Sequence, residues 1–161
     1  MKNNSCPQRK QQGFTLVELS VVLVIAAILV SAAIGLSRFL DKQKARGNAT
    51  DITTIIRQGR AEAKKSGKPV YVLVTERQVR ILRAQSQYIV TSDFSENDAT
   101  DIAVVNADPV LNFSASAEKT PYFTSYGVLA PSAEYAIDLN KKDGTKYYTV
   151  KIQANGDALI E

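Results

Sequence analysis

Gln12-Gly13-Phe14-Thr15-Leu16-Val17-Glu18 opens an uncharged apolar run, Leu19 to Leu36, that reads LSVVLVIAAILVSAAIGL. As a helix, eighteen residues rise about 27 Å, close to the roughly 30 Å hydrocarbon core of a bilayer. Phe14 to Val17 extend the apolar surface by a further turn, and Glu18 is the one carboxylate inside it. A charge near the centre of a membrane helix costs about 2.5–3.5 kcal/mol on insertion scales, so such a group normally has a partner.

The segment before this run is short, polar and basic, with Lys2, Arg9 and Lys10 and no acid before Glu18. A secretory signal places its small-residue cleavage site after the apolar core. Here the one processing signal, Gln-Gly followed by Phe-Thr-Leu-Val-Glu, lies before it. A cut between Gly13 and Phe14 removes the basic leader and keeps the helix. An ordinary signal anchor also accounts for the three cations, through the positive-inside rule, but leaves Glu18 without a role.

The constellation Gly13, Phe14, Thr15, Leu16, Val17, Glu18 and the apolar run resembles the N-terminus of type IV pilin-like proteins, the type IV pilins and type II secretion pseudopilins. The resemblance implies cleavage after Gly13 by a prepilin peptidase, N-methylation of Phe14, and Glu18 as the fifth residue of the mature chain, engaged in assembly.

The 161 residues leave room for one domain behind the helix. The formal charge of +4 falls to +1 once the three leader cations are set aside. Charge is unevenly spread: residues 38–83 carry twelve Lys/Arg and four Asp/Glu, a net of +8, whereas residues 84–161 carry five and eleven, a net of −6. Such asymmetry marks nucleic-acid or membrane contact in some chains; complementarity to a neighbour, or a solvated face, is the plainer reading. Cys6 is the single cysteine and lies in the leader, so the mature chain has no disulfide. There is no His, which removes zinc-hydrolase motifs and Ser-His or Cys-His pairs.

Beyond Leu36 the helix is expected to continue. Ile52, Ile55, Ile56, Gly59 and Ala63 recur at spacings of three and four, one helical face. Lys64 and Lys65 suit a last turn, Gly67 a C-cap, and Pro69 prevents continuation. The expected helix runs from about Phe14 to Ser66, with Gly35 and Gly47 as points of weakness.

Strand signals follow. Val70–Val74 and Gln78–Arg83 alternate around Thr75-Glu76-Arg77 as a hairpin, and Tyr88–Val90 reads as a third strand. Ser92 to Asp101 reads as an acidic loop, then Ile102–Val105 and Val110–Phe113 as strands interrupted by Asp108-Pro109. Tyr122-Phe123 leads to a turn at Gly127; Tyr135–Leu139 and Tyr147–Gln153 flank Asp143-Gly144; Asn155-Gly156 turns into a last short strand, Ala158–Ile160.

Several of these pieces look like the GspH/FimT class of minor pilins and pseudopilins: Arg60-Ala61-Glu62-Ala63, Val70-Tyr71-Val72-Leu73, Tyr122 to Gly127, and Val150 to Gly156. That resemblance implies an α+β fold in which a long N-terminal helix packs on an antiparallel two-sheet β head without a disulfide. The domains expected are a cleaved leader over 1–13, a transmembrane helix over 14–37, its amphipathic continuation over 38–67, and a periplasmic β-rich head over 68–161. DNA-binding members of the class carry a basic Gly-Arg motif near the C-terminus. The tail here, Asn155 to Glu161, has no basic residue.

Other sites weigh less. Asp93, Glu96, Asp98 and Asp101 offer oxygens but lack the glycine and closing glutamate of a calcium loop, so solvation explains them. Arg77, Arg80 and Arg83 form a candidate phosphate stripe, though the wet face of a half-buried strand accounts for Arg80 more simply. The resulting expectation is a structural subunit and not an enzyme, with neither cofactor nor metal. It sits single-pass in a bacterial inner membrane and assembles with other pilins or pseudopilins in a helical filament. Prepilin peptidase and the inner-membrane assembly platform are the further partners implied, and nucleic acid is not an expected one. A minor pseudopilin of a type II secretion system is the first reading. A minor pilin of the FimT/FimU type that primes pilus assembly is the second, and a DNA-binding pilin of an uptake system comes from another class.

Overall fold

The computed structural model describes residues 15–86, 99–116, 120–130 and 134–161, and the chain divides into two compact units, Met1–Phe39 and Leu40–Glu161. Helix α1 (Leu16–Ser66) contributes to both. Within the second unit, which we call the head, Ala45, Ala49, Ile52, Ile56 and Ala63 are fully buried at spacings of three, four and seven. This is the apolar stripe of a helix that covers a core. The helix stops as its sequence requires: Gly67 takes φ +66 and donates its N–H to the Ala63 carbonyl at 3.0 Å, closing the last turn with a residue that bears no Cβ penalty.

Nine strands follow: β1 (Val70–Val74), β2 (Gln78–Ala84), β3 (Ala99–Asn106), β4 (Leu111–Ala115), β5 (Tyr122–Phe123), β6 (Leu129–Ala130), β7 (Tyr135–Lys141), β8 (Lys146–Ile152) and β9 (Ala158–Ile160). They form two antiparallel sheets, β3-β2-β1-β5-β6 and β4-β7-β8-β9. The α+β architecture of one long helix with a two-sheet head is therefore the one expected. The β1–β2 hairpin has the anticipated turn, where Thr75 N–H donates to the Gln78 carbonyl at 2.8 Å and Gln78 N–H donates to Thr75 Oγ1 at 3.1 Å. At Asp108-Pro109 the chain turns, with Val110 N–H bonded to Asp108 Oδ1.

Strand bounds differ from the sequence reading in several places, β4 among them, which starts at Leu111 and runs on to Ala115. Strand β3 starts at Ala99 and takes in Asp101, read above as loop, because Arg80 on β2 gives that carboxylate a partner within the sheet. Strand β6 was not anticipated, since two residues are too few to show a period. Strands β7 and β8 run further toward their shared turn than their apolar alternation indicates. The expected strand Tyr88–Val90 and residues 92–98 of the expected acidic loop lie outside the described residues.

The core forms where the helix stripe meets the two inner sheet faces. Ile52 and Ile56 join one cluster with Val70, Val72 and Ile81 of the first sheet and Phe113, Ile137, Leu139 and Val150 of the second. Gly59 sets the approach: a Cβ there would lie 2.8 Å from Ile81 Cγ2 and 3.3 Å from Val70 Cγ1. The helix therefore lies closer to β1 and β2 than a side chain permits.

Two glycine substitutions are expected to have opposite effects. A Cβ at Gly47 meets nothing within 4 Å, so Gly47→Ala should stabilise the head by about 0.5–1 kcal/mol through helix propensity. Gly59→Ala gains the same propensity but overpacks branched core side chains, which costs about 1–3 kcal/mol. Thermal melts of the full chain in detergent should show the first variant at or above wild type and the second below it.

Alkaline pH offers a second check. Burial pushes the Tyr135 hydroxyl from 10.0 up to about 12. The folded state therefore holds the phenol proton that the unfolded chain releases first. The stability linked to this group is full below pH 10 and fades as pH rises from 10 to 12. Tyr135→Phe should show a shallower alkaline fall in melting temperature than wild type.

Candidate assembly site

The described part of α1 begins at the motif. Glu18 N–H donates to Thr15 Oγ1 at 3.3 Å, and Leu19 N–H donates to the Thr15 carbonyl at 3.2 Å. Thr15 thus caps the helix, and Glu18 stands in its first turn, where a negative charge complements the helix dipole. The Thr-x-x-Glu spacing is a sequence signature of this cap, and it gives Thr15 a role that the motif alone did not. Glu18 is exposed, and its carboxylate has no partner among the described residues. Gly13 and Phe14 lie outside them.

The apolar run is exposed as well. Its most apolar eighteen-residue window has a mean hydropathy of 2.8, with none of it buried. Leu19, Leu23, Ile28 and Leu29 are each 58–65% exposed. Two hydroxyls in the run are satisfied internally: Ser20 Oγ donates to the Val17 carbonyl and Ser31 Oγ to the Ala27 carbonyl, each at 2.8 Å. The segment thus suits surroundings that offer no hydrogen bonds. A contiguous apolar surface of this kind marks a membrane or protein contact.

The structure does not gather Arg77, Arg80 and Arg83 into one stripe. Arg77 Nη1 donates to the Leu111 carbonyl at 2.9 Å. Arg80 makes a two-bond fork to Asp101, Nε–Oδ1 at 3.1 Å and Nη2–Oδ2 at 2.8 Å. Arg83 Nη1 reaches Glu62 Oε1 on α1 at 2.7 Å. Arg83 shares its side of β2 with buried Val79 and Ile81, while Arg80 points to the other face, as period-two alternation requires.

Arg60 carries a connection that no local pattern announces. From α1 its Nε donates to the Gly127 carbonyl at 3.2 Å, and its Nη1 pairs with Asp157. One guanidinium therefore ties the helix to the β5–β6 turn and to the β8–β9 turn. Gly156 lets these pieces meet: it has φ +86, and a Cβ on it would sit 2.6 Å from the Gly127 carbonyl and 3.0 Å from Arg60 Nε. The signals were present as Arg60-Ala61-Glu62-Ala63, Tyr122 to Gly127 and Asn155-Gly156. Their convergence, 67 and 97 residues apart, is a property of the fold.

Comparison with known proteins matches both parts. Residues 8–34 carry the prokaryotic N-terminal methylation motif. The fold is similar to that of the type IV minor pilin FimU of Pseudomonas aeruginosa, with a TM-score of 0.55 at 16% identity over 76% of this chain and 92% of that one. It is also similar to the minor pseudopilin EpsH from the type 2 secretion system of Vibrio cholerae, with a TM-score of 0.53 at 14% identity over 73% and 96%. The solution structure of Escherichia coli GspH gives a TM-score of 0.56 at 13% identity over 74% and 89%. No curated protein is a significant sequence match. The chain thus joins a prepilin-type methylation motif to the pilin-like fold of minor pilins and pseudopilins.

Removing the Arg60 connection should loosen both turns without unfolding the core. Arg60→Met keeps the aliphatic stem and deletes the donors, a change expected to cost about 1–2 kcal/mol. Hydrogen exchange of the full chain should quicken at Gly127, Val128 and Gly156 in the variant and stay near wild type in β1 and β2.

Proposed function

We propose that this protein is a minor filament subunit whose activity is assembly, and that its first home is a type II secretion pseudopilus. The observation that carries the reading is the exposed apolar helix with a single carboxylate at its capped start, joined to the methylation motif and a pilin-like head. On this reading the helix anchors the chain single-pass in the bacterial inner membrane with the head in the periplasm. Prepilin peptidase cuts between Gly13 and Phe14, the new amine of Phe14 is methylated, and the assembly platform moves the helix into a filament of related subunits. No reaction is assigned to the head. A minor pilin of a type IV pilus is the second reading, favoured by the likeness to FimU, which is of the same order as the likeness to EpsH. A gene neighbourhood with a secretin and secretion ATPase favours the first, and one with a pilus retraction ATPase the second.

Glu18 supplies the mechanism. Cleavage creates an amine four residues before its carboxylate. In a filament, the staggered helix of a neighbour brings the two charges together in low dielectric, and their attraction offsets part of the cost of burying each. Removing one partner leaves the other buried and unpaired, at a typical cost of 3–5 kcal/mol. Insertion into lipid, by contrast, becomes easier without the charge. Glu18→Ala should therefore reach the membrane and be processed to a mature N-terminus at Phe14, as read by intact mass, yet lose crosslinking to partner pilins. Wild-type crosslinking by a correctly processed variant overturns the role of Glu18, and a retained Met1 or an N-terminus beyond Leu36 overturns the processing.

A further inference from the structure

The first sheet ends in an open edge beside the helix. Ala107 N–H donates to the Arg77 carbonyl at 2.8 Å, which fixes the alternation of the β2–β3 ladder. In antiparallel pairing every second residue turns its N–H and C=O toward the neighbour. Val105 and Ala103 therefore address β2, whereas Val104 and Asn106 turn their backbone groups away. Asn106 bears this out: its carbonyl accepts from Asn48 Nδ2 on α1 at 3.1 Å. Val104 has no such cover among the described residues, and 43% of it is exposed. The register shift at Ile81/Leu82 skips Ile102, so the regular open edge is short.

This edge forms one side of a groove of about 450 Å³ lined by Asp51, Thr54, Ile55, Val104, Val105 and Asn106. Asp51 lies one helical turn before Thr54 and Ile55, and the three make the helix side of the groove. Thr54 Oγ1 is spent on the Thr50 carbonyl, but the exposed Asp51 carboxylate has no partner among the described residues. Among the described residues the groove thus presents the unpaired amide and carbonyl of Val104, the partly buried side chain of Val105 above the buried Ile55, and the unpaired carboxylate of Asp51.

We propose that the groove docks an extended segment of another protein chain as an added strand on β3. The segment carries a lysine or arginine two residues from an aliphatic side chain. Backbone complementarity selects an extended peptide. Side chains two apart on it share a face, so one packs beside the partly buried Val105 while the other meets Asp51. No described strand of a second copy is free to supply that segment. Among its described strands, the aliphatic–x–cation pattern stands in β2 and β7, and both are already flanked on each side by a partner strand. The proposal is independent of the assembly role given to Glu18.

The test uses the full chain in detergent micelles and two dye-labelled synthetic peptides, Thr-Ile-Thr-Lys-Thr and Thr-Lys-Thr-Ile-Thr, read by fluorescence anisotropy. Saturable binding of one of them is expected, with Kd of roughly 1 mM or tighter. Asp51→Lys should weaken it by about tenfold or more through charge reversal, with the melting temperature unchanged. A peptide N-methylated along its backbone should not bind. Absence of saturable binding by both peptides overturns the proposal. So does binding indifferent to Asp51→Lys or to N-methylation, and so does concentration-dependent self-association of the unliganded chain that Val104→Asp abolishes, which would give the edge to a second copy.

Discussion

At Gly59 the missing side chain lets α1 lie against Ile81 and Val70, and much of the head depends on that approach. Dispersion between core atoms decays within an ångström or so of optimal contact. A helix held off by one Cβ would leave Ile52 and Ile56 without the close contacts that bury them. The same stripe faces both sheets, because Ile56 belongs to a single cluster with Ile81 of the first sheet and Ile137 of the second. Neither sheet is covered by the other alone, so the helix is a structural member of the head as well as its tether.

Polar ties hold the periphery of this arrangement, and four ion pairs among the described residues run from the helix outward. Lys44 pairs with Asp108 at 3.4 Å, Asp41 with Lys141 at 3.5 Å, Glu62 with Arg83 and Arg60 with Asp157. Exposed pairs of this kind add little stability each. Their effect is on register: each fixes one loop or strand end against one helical turn. They also reinterpret the charge asymmetry along the chain. Part of the excess of cations before residue 84 and of acids after it is settled inside the head, as Lys44–Asp108, Arg60–Asp157 and Arg80–Asp101 show. Arg77, Arg80 and Arg83 are occupied by this work, each by a different acceptor.

The legible parts of the sequence were those governed by short-range physics. The stripe through Ile52, Ile56 and Ala63, the cap at Gly67, the β1–β2 hairpin and the Asn155-Gly156 turn all express rules that act within a few residues. Strand β6 escaped because Leu129-Ala130 owes its conformation to β5 and to the Ala154 carbonyl that accepts from Leu129 N–H. The start of β3 escaped because Asp101 reads as loop until Arg80 is placed opposite it. The Arg60 junction and the groove beside β3 escaped for the same reason: both join groups that are neighbours only after folding. Thr15 is the exception, since its cap could have been read from the Thr-x-x-Glu spacing.

The two halves of α1 ask for different solvents. From Leu40 onward one face is apolar and the head covers it. From Leu19 to Leu36 the helix carries no charge on any side, a surface that lipid or other apolar helices can cover. Those two coverings are nearly equal for leucine and valine, because lipid tails are as apolar as the side chains and supply no hydrophobic force between helices. They are unequal for Glu18. In lipid the carboxylate is a cost, whereas beside a complementary charge on a neighbouring helix part of that cost is returned. On the proposed reading, the apolar residues make the helix indifferent to the move from membrane to filament. The single acidic residue gives the move its direction.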